Sequence, residues 1–342
     1  MGLNNINNNL HKKNSIISRF QKGELSTKET FKLLRNLNNE NIRISKNDAC
    51  LLKKDILVNS SDNEENNYLN STSFKNSMEE LDKLIGLNTI KKLIKEYVSF
   101  LKVQELRTKY GLKNKSVVMH MIFKGNPGTG KTTVARIIGK IFSNIGFLDN
   151  GEIIEAERAD LVGEYIGHTA KKTKEMIEKA LGGVLFVDEA YALARGGERD
   201  FGKEAIDTMV KSLEDHRDNI IVILAGYKSE MEYFLKQNPG LKSRFSIHLD
   251  FPDYSIEELV EISELMYEER EYILTQNSKH YIYNILSKIR SNEGDNKGNA
   301  RTVRNLVEKS IRHQAQRIIN LKNITKKDLM TIKIEDLAGG SP

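Results

Sequence analysis

Residues 125–133 read GNPGTGKTT, three glycines around one lysine with hydroxyls behind it. Gly125, Gly128 and Gly130 let a backbone curl until its N–H groups converge, and converging N–H groups cradle phosphate oxygens. Asn126, Pro127 and Thr129 complete the loop, and the proline stiffens it. The segment fits G-x-x-x-x-G-K-[ST] in full, between an apolar run that reads as a strand and an amphipathic run that reads as a helix. That context separates a phosphate-binding loop from an ordinary glycine turn. Lys131 is placed to reach the β- and γ-phosphates of ATP. The Thr132 hydroxyl is placed to ligate Mg²⁺, and Thr133 beside it belongs to the same binding set.

Some fifty residues on, VLFVDEAY (184–191) ends an apolar run on two acids. Neighbouring side chains on an extended backbone point to opposite sides, so the two acids suit separate tasks. Asp188 is expected to hold Mg²⁺ through water, and Glu189 to orient and deprotonate an attacking water. Hydrolysis also needs positive charge beside the departing γ-phosphate. NPGLKSRF (238–245) offers Lys242 and Arg244, and Arg244 is assigned as a finger reaching a nucleotide held by a neighbouring subunit. GNARTVRN (298–305) offers Arg301 and Arg304, with Arg301 preferred as a γ-phosphate sensor.

These groups need a scaffold, and the apolar patterning supplies one. VVMHMIFKG (117–125), EIIEAE (152–157), GVLFVDEA (183–190), NIIVILAGY (219–227) and FSIHLDF (245–251) read as strands, mostly separated by helical patterns. Strand–helix alternation implies an α/β fold: a parallel sheet with helices on both faces. From Ser255 the pattern is helical, a second, smaller domain. The expected organisation is an ATPase domain over 77–252, a helical domain over 253–337 and a tail over 338–342. Residues 1–76 are Asn-rich; 59–77 reads as a linker, and 23–37 as one helix of a small hairpin. Accessory docking element and poorly ordered extension are both open readings of that start.

Charge narrows the partners. Residues 1–60 hold 11 Lys or Arg against 5 Asp or Glu, whereas residues 77–342 hold 41 against 39. The basicity belongs to the N-terminal segment, and a dedicated phosphate-backbone surface would show more excess charge on the main body. Nucleic acid is therefore not the expected partner. No apolar run approaches the ~20 residues of a membrane span, and the first residues lack the apolar core of a secretory signal. The single Cys50 excludes an intramolecular disulfide. The expected compartment is the cytoplasm.

The order of these motifs carries a resemblance. HMIFKGNPGTGKTTVARIIGKIF, EAERADLVGEYIGHTAKKT, LFVDEAYALARGG, DFGKEAIDTMVKSLED and NPGLKSRFSIHLDFPDYS resemble the CbbX/stage V sporulation protein K family of AAA+ ATPases, over roughly 78–337. The resemblance implies an ATP-driven ring, usually a hexamer, that remodels a protein client, nearer to the sporulation branch than to the Rubisco-activating one. It implies that Leu84 to Leu87, with Ile85 and Gly86 at its centre, packs against adenine. In one departure from the family, its polar sensor at the end of the fourth strand, often Asn, falls here at Tyr227 or near it. In such a ring Tyr165, Ile166 and Gly167 face the central pore: the aromatic grips a chain by apolar contact, and Gly163 and Gly167 read as hinges. Packing of Tyr165 and Ile166 into the core is the competing reading. Two other functions compete with the remodeller, a nucleotide-controlled scaffold and a DNA-acting ring.

Overall fold

The computed structural model describes residues 72–114, 117–165, 167–196, 200–217, 219–292 and 298–338. The described residues fall in one compact unit; the Asn-rich start, with its expected hairpin, lies outside them. All five expected strands form: β1 (Met121–Gly125), β2 (Ile153–Ala156), β3 (Val184–Val187), β4 (Ile221–Gly226) and β5 (Ile247–Phe251). They pair in the order β2-β3-β4-β1-β5 with every pairing parallel. The three inner strands are buried along their whole length, while edge strand β5 alternates buried and exposed. Burial on both faces is what a parallel sheet requires, and it explains why the inner strands read as unbroken apolar runs.

Successive residues of those strands feed opposite layers. Met121, Phe123, Phe186 and Ile223 face one apolar cluster, and Ile122, Leu185, Val187, Val222 and Leu224 face the other. The first layer is covered by α1 (Thr72–Lys83), α2 (Asn88–Lys109) and α3 (Lys131–Asn144). The second is covered by α4 (Arg158–Leu161), α5 (His168–Lys179), a 3₁₀ turn (Ala190–Ala194), α6 (Gly202–Asp215), α7 (Lys228–Gln237) and α8 (Pro239–Arg244). The linker expected over 59–77 ends earlier than its polarity suggested. Helix α1 already begins at Thr72, because Phe74 is buried against the first cluster and the Lys102 ammonium sits 4.4 Å from its ring centre.

Beyond β5 the chain is helical: α9 (Ile256–Glu268), α10 (Gln276–Asn292), α11 (Ala300–Ile319), α12 (Lys326–Met330) and α13 (Ile334–Ala338). Ser255 and Glu258 form a capping box that starts α9. Two short parallel strands, β6 (Ile273–Leu274) and β7 (Thr331–Ile332), were not anticipated; two-residue strands leave no periodicity to read. Within the helical region Tyr267 is buried and its hydroxyl lies 2.6 Å from Ser310 Oγ. Burial pushes that phenol up to about 12, so it remains a protonated donor.

Candidate functional site: a phosphate loop clasped by a helical lid

The glycine loop leaves β1 and enters α3 at the carboxyl edge of the sheet, where open α/β folds place their ligands. Gly128 has φ +72° and Gly130 has φ +92°, conformations that L side chains rarely adopt. The position of a Cβ on Gly128 is taken by the Gly298 carbonyl oxygen and the Arg301 amide, so close approach as well as φ demands glycine. Thr129 is fully buried, its hydroxyl donating to Asn126 O at 2.8 Å. Lys131 Nζ donates to the carbonyl oxygens of Gly125 at 2.8 Å and Asn126 at 2.9 Å. Burial holds that ammonium below its ordinary range, Asp188 opposes the shift, and Arg301 adds to it.

One cleft of about 380 Å³ gathers Gly125, Pro127, Gly128, Gly130, Lys131, Thr132 and Thr133 with Asp188, Glu189, Tyr227, Arg301 and Arg304. Sheet order explains the meeting: β3 and β1 flank β4, so the ends of all three strands open onto one edge. Asp188 is half-buried and Glu189 exposed. The Glu189 amide donates to Asp188 Oδ1 at 2.9 Å, and Glu189 itself stands at φ 45°, ψ 40°. A non-glycine residue in that left-handed region marks strain of the kind concentrated at functional sites. Beside it, burial and then the Glu189 charge push the Tyr191 phenol up to about 12, and its ring centre lies 6.0 Å from that of Tyr227.

The helical region closes on the loop through contacts that sequence reasoning did not assign. Ala300 N, at the start of α11, donates to Gly128 O at 3.1 Å. Asn299 is buried at φ 48°, ψ −132°, and its amide nitrogen donates to Asp253 Oδ1 at 2.8 Å and Pro127 O at 3.4 Å. Its amide oxygen accepts from Tyr254 N at 3.0 Å. Asn126 Nδ2 donates to the same Asp253 oxygen at 2.9 Å, and the Tyr254 hydroxyl donates to Thr129 O at 3.2 Å. Burial pushes that phenol up to about 12, with Glu258 adding. The motifs DFPDY and GNAR were visible in the sequence; that one serves the other across the loop was not, because 46 positions separate Asp253 from Asn299.

The other expected residues lie outside this cleft. Arg244 is not among the residues lining this cleft; its Nη1 donates to Gly240 O at 3.0 Å and its Nη2 pairs with Glu214. Ile85 and Gly86 line neither this cleft nor a second one of about 600 Å³, where the neighbouring Leu87 stands with Asn126, Lys124 and Asp253. Gly86, at φ +61°, lies instead against the Glu258 carboxylate. Tyr165 is 66% exposed, which contradicts its core-packing reading, and its ring meets His168 edge-on at 5.5 Å; Ile166 lies outside the described residues. Gly167, at φ +81° with open space around its missing Cβ, suits a hinge. Gly163 does not: a Cβ there would meet His168 Cβ at 2.6 Å, so it is a close-approach glycine packed on the start of α5.

Comparison with known proteins agrees with this geometry. The family model described as ATPase family associated with various cellular activities (AAA) matches residues 121–253, and the AAA lid domain matches 255–340. Stage V sporulation protein K of Bacillus subtilis (strain 168) is 55% identical over 260 residues, 76% of this chain and 81% of that protein. Protein CbbX of Cereibacter sphaeroides is 42% identical over 267 residues, 77% and 86% of the two chains. The chloroplastic ribulose bisphosphate carboxylase/oxygenase activase of Cyanidioschyzon merolae is 44% identical over 270 residues, 78% and 92%. Among solved structures, the FIGL-1 AAA domain in complex with ADP superposes with a TM-score of 0.52 at 18% identity, covering 75% of this chain and 81% of that one; this likeness speaks to the fold alone. With the phosphate loop, the acidic pair and the lid already in place, the chain belongs to the AAA family of ATPases, among the relatives of stage V sporulation protein K and CbbX, and it binds and hydrolyses ATP.

Proposed function

We propose that this ATPase assembles as a hexameric ring in the cytoplasm and spends ATP on remodelling a protein client, in the manner that its likeness to stage V sporulation protein K suggests. The observation that carries the reading is the exposed Tyr165 at the tip of the connection before α5, on a chain whose Arg244 stands apart from its own ATP cleft. An aromatic with no core to fill, beside Gly167 with room to swing, suits sequence-tolerant apolar grip on a polypeptide. A guanidinium outside its own cleft suits service to the next subunit.

Within the cleft, Lys131 exchanges the loop carbonyls for phosphate oxygens, and the amides of 128–132 bind the anion at the helix start. Thr132 and Asp188 are oxygen donors in the same cleft, the donor chemistry of a hard cation that keeps part of its water shell, so Mg²⁺ fits there. When bound, Mg²⁺ neutralises charge on the phosphates. Glu189 takes the proton of the attacking water. Arg301, whose amide lies against Gly128, registers the γ-phosphate and transmits its loss to α11.

Stimulation of ATP turnover by an unfolded polypeptide, with casein as the probe, tests the reading. Wild-type and Tyr165→Phe protein are expected to be stimulated alike, and Tyr165→Ala to lose the stimulation while binding ATP within about twofold of wild type. Stimulation that survives in Tyr165→Ala refutes Tyr165 as the grip. A wild-type protein indifferent to polypeptide favours the nucleotide-controlled scaffold, against which stands Glu189, a carboxylate that a scaffold does not need. Stimulation by DNA instead would point to the DNA-acting reading.

A further inference from the structure

We infer that Arg158 is a positioning residue that couples the catalytic acid pair to the Tyr165 connection. The use of that coupling in gripping a client rests on the remodeller reading above; the coupling itself does not.

Arg158 opens α4 immediately after β2, and its guanidinium has two partners on a different stretch of chain. Nη1 donates to Ala192 O at 2.7 Å, and Nη2 pairs with the Asp200 carboxylate. Ala192 lies in the 3₁₀ turn that follows the acids, and its amide donates to Glu189 O at 2.7 Å. One unbroken path of hydrogen bonds therefore runs from the Glu189 backbone through Ala192 to Arg158. On the other side, Asp200 Oδ1 accepts from Gly202 N at 3.0 Å, tying the same guanidinium to the start of α6.

Two glycines make room for this node. A Cβ on Gly196 would occupy the place of the Asp200 carboxylate, and one on Gly202 would meet Leu193 O and come within 3.0 Å of Arg158 Nη1. The Asp200 side chain is 14% exposed and that of Arg158 34%, so the pair is shielded far better than a surface bridge.

From Arg158 the path continues to the connection. Val162 N donates to Arg158 O at 2.9 Å, closing α4. Thr173 Oγ1 donates to Leu161 O at 2.9 Å, and Gly163 N donates to Thr169 Oγ1 at 3.0 Å. These bonds tie the entry to the connection onto α5, so a displacement of α4 is passed to the segment that carries Tyr165. At the far end of the path Glu189 holds a strained backbone conformation, a natural place for a change at the γ-phosphate to alter the chain.

Hydrogen–deuterium exchange on the full-length protein tests the inference, comparing ADP with a non-hydrolysable ATP analogue. In wild type the exchange of peptides spanning 160–168 should differ between the two nucleotides by at least about threefold. Arg158→Gln should at least halve that difference while the 186–194 peptides keep theirs and analogue affinity stays within about twofold. Arg158→Lys should fail to rescue, because an ammonium keeps the charge but lacks the fork that spans a carbonyl and a carboxylate. Asp200→Asn, of nearly the same volume, should reproduce part of the loss, and it serves if Arg158→Gln does not fold. An undiminished nucleotide difference over 160–168 in these variants overturns the inference, as does its absence in wild type or full rescue by lysine. The polypeptide-stimulation experiment on Tyr165→Ala fails or succeeds independently of these outcomes.

Discussion

Glu189 and Asp188 are adjacent, and the separate roles proposed for them match a difference in their surroundings. Asp188 follows β3, half-buried, and accepts from the Glu189 amide, whereas Glu189 turns into a left-handed conformation and stands exposed at the cleft. Removing the base while keeping the shape should leave binding intact. Glu189→Gln is expected to cut turnover about 10²–10⁴-fold with ATP affinity nearly unchanged, measured by steady-state phosphate release and by titration with labelled nucleotide. Turnover at the wild-type rate would remove Glu189 from the base role. A second residue sets the response to acid. His120 is buried, its Nδ1 accepts from Val222 N at 3.2 Å, and burial pushes its imidazole down to about 4. The unfolded chain takes up that proton near pH 6.5 and the folded chain only near 4, so stability is full above the upper value and declines through this window. Chemical denaturation should register a loss of up to ~3 kcal/mol between these limits, with a flatter profile in His120→Met.

At the scale of elements, the clasp between α11 and the phosphate loop is held by a side chain in a costly conformation. Asn299 keeps a positive φ because its amide satisfies Asp253, Pro127 O and Tyr254 N at once. Asn299→Ala loses those bonds while retaining the strain, and should destabilise the protein by about 2–4 kcal/mol in urea unfolding; a change below about 0.5 kcal/mol would mean that the clasp is incidental. The strands, the phosphate loop and the acid pair were legible because each is a local pattern: apolar runs bounded by glycines and acids at fixed offsets. What stayed illegible depends on contacts that only the folded backbone creates. Gly163 looked like a hinge until the fold brought His168 onto it, and α1 looked like linker because only tertiary burial of Phe74 extends a polar helix back to Thr72. Arg158 lies within a run that carries the resemblance, but nothing local marked its role, since its partners lie 34 and 42 positions away.

At the scale of the whole molecule, the proposed site is shared between subunits. Lys131, Asp188, Glu189 and Arg301 share one cleft, but Arg244 is tethered to Glu214 and Gly240, outside the residues that line it. Among the described residues no helix is long and apolar enough to cross a membrane. Members of this family generally form hexameric rings, and in a ring each cleft would borrow Arg244 from its neighbour. Arg244→Ala should then lower turnover about 10³-fold or more without weakening ATP binding to the isolated subunit. The most direct test mixes two inactive proteins, Arg244→Ala and Lys131→Ala, in equal amounts and measures ATP turnover. A finger acting across the interface predicts recovery towards about a quarter of the wild-type rate, since one interface in four then joins an intact loop to an intact finger. A mixture as silent as its two components would contradict the shared site, and with it the ring.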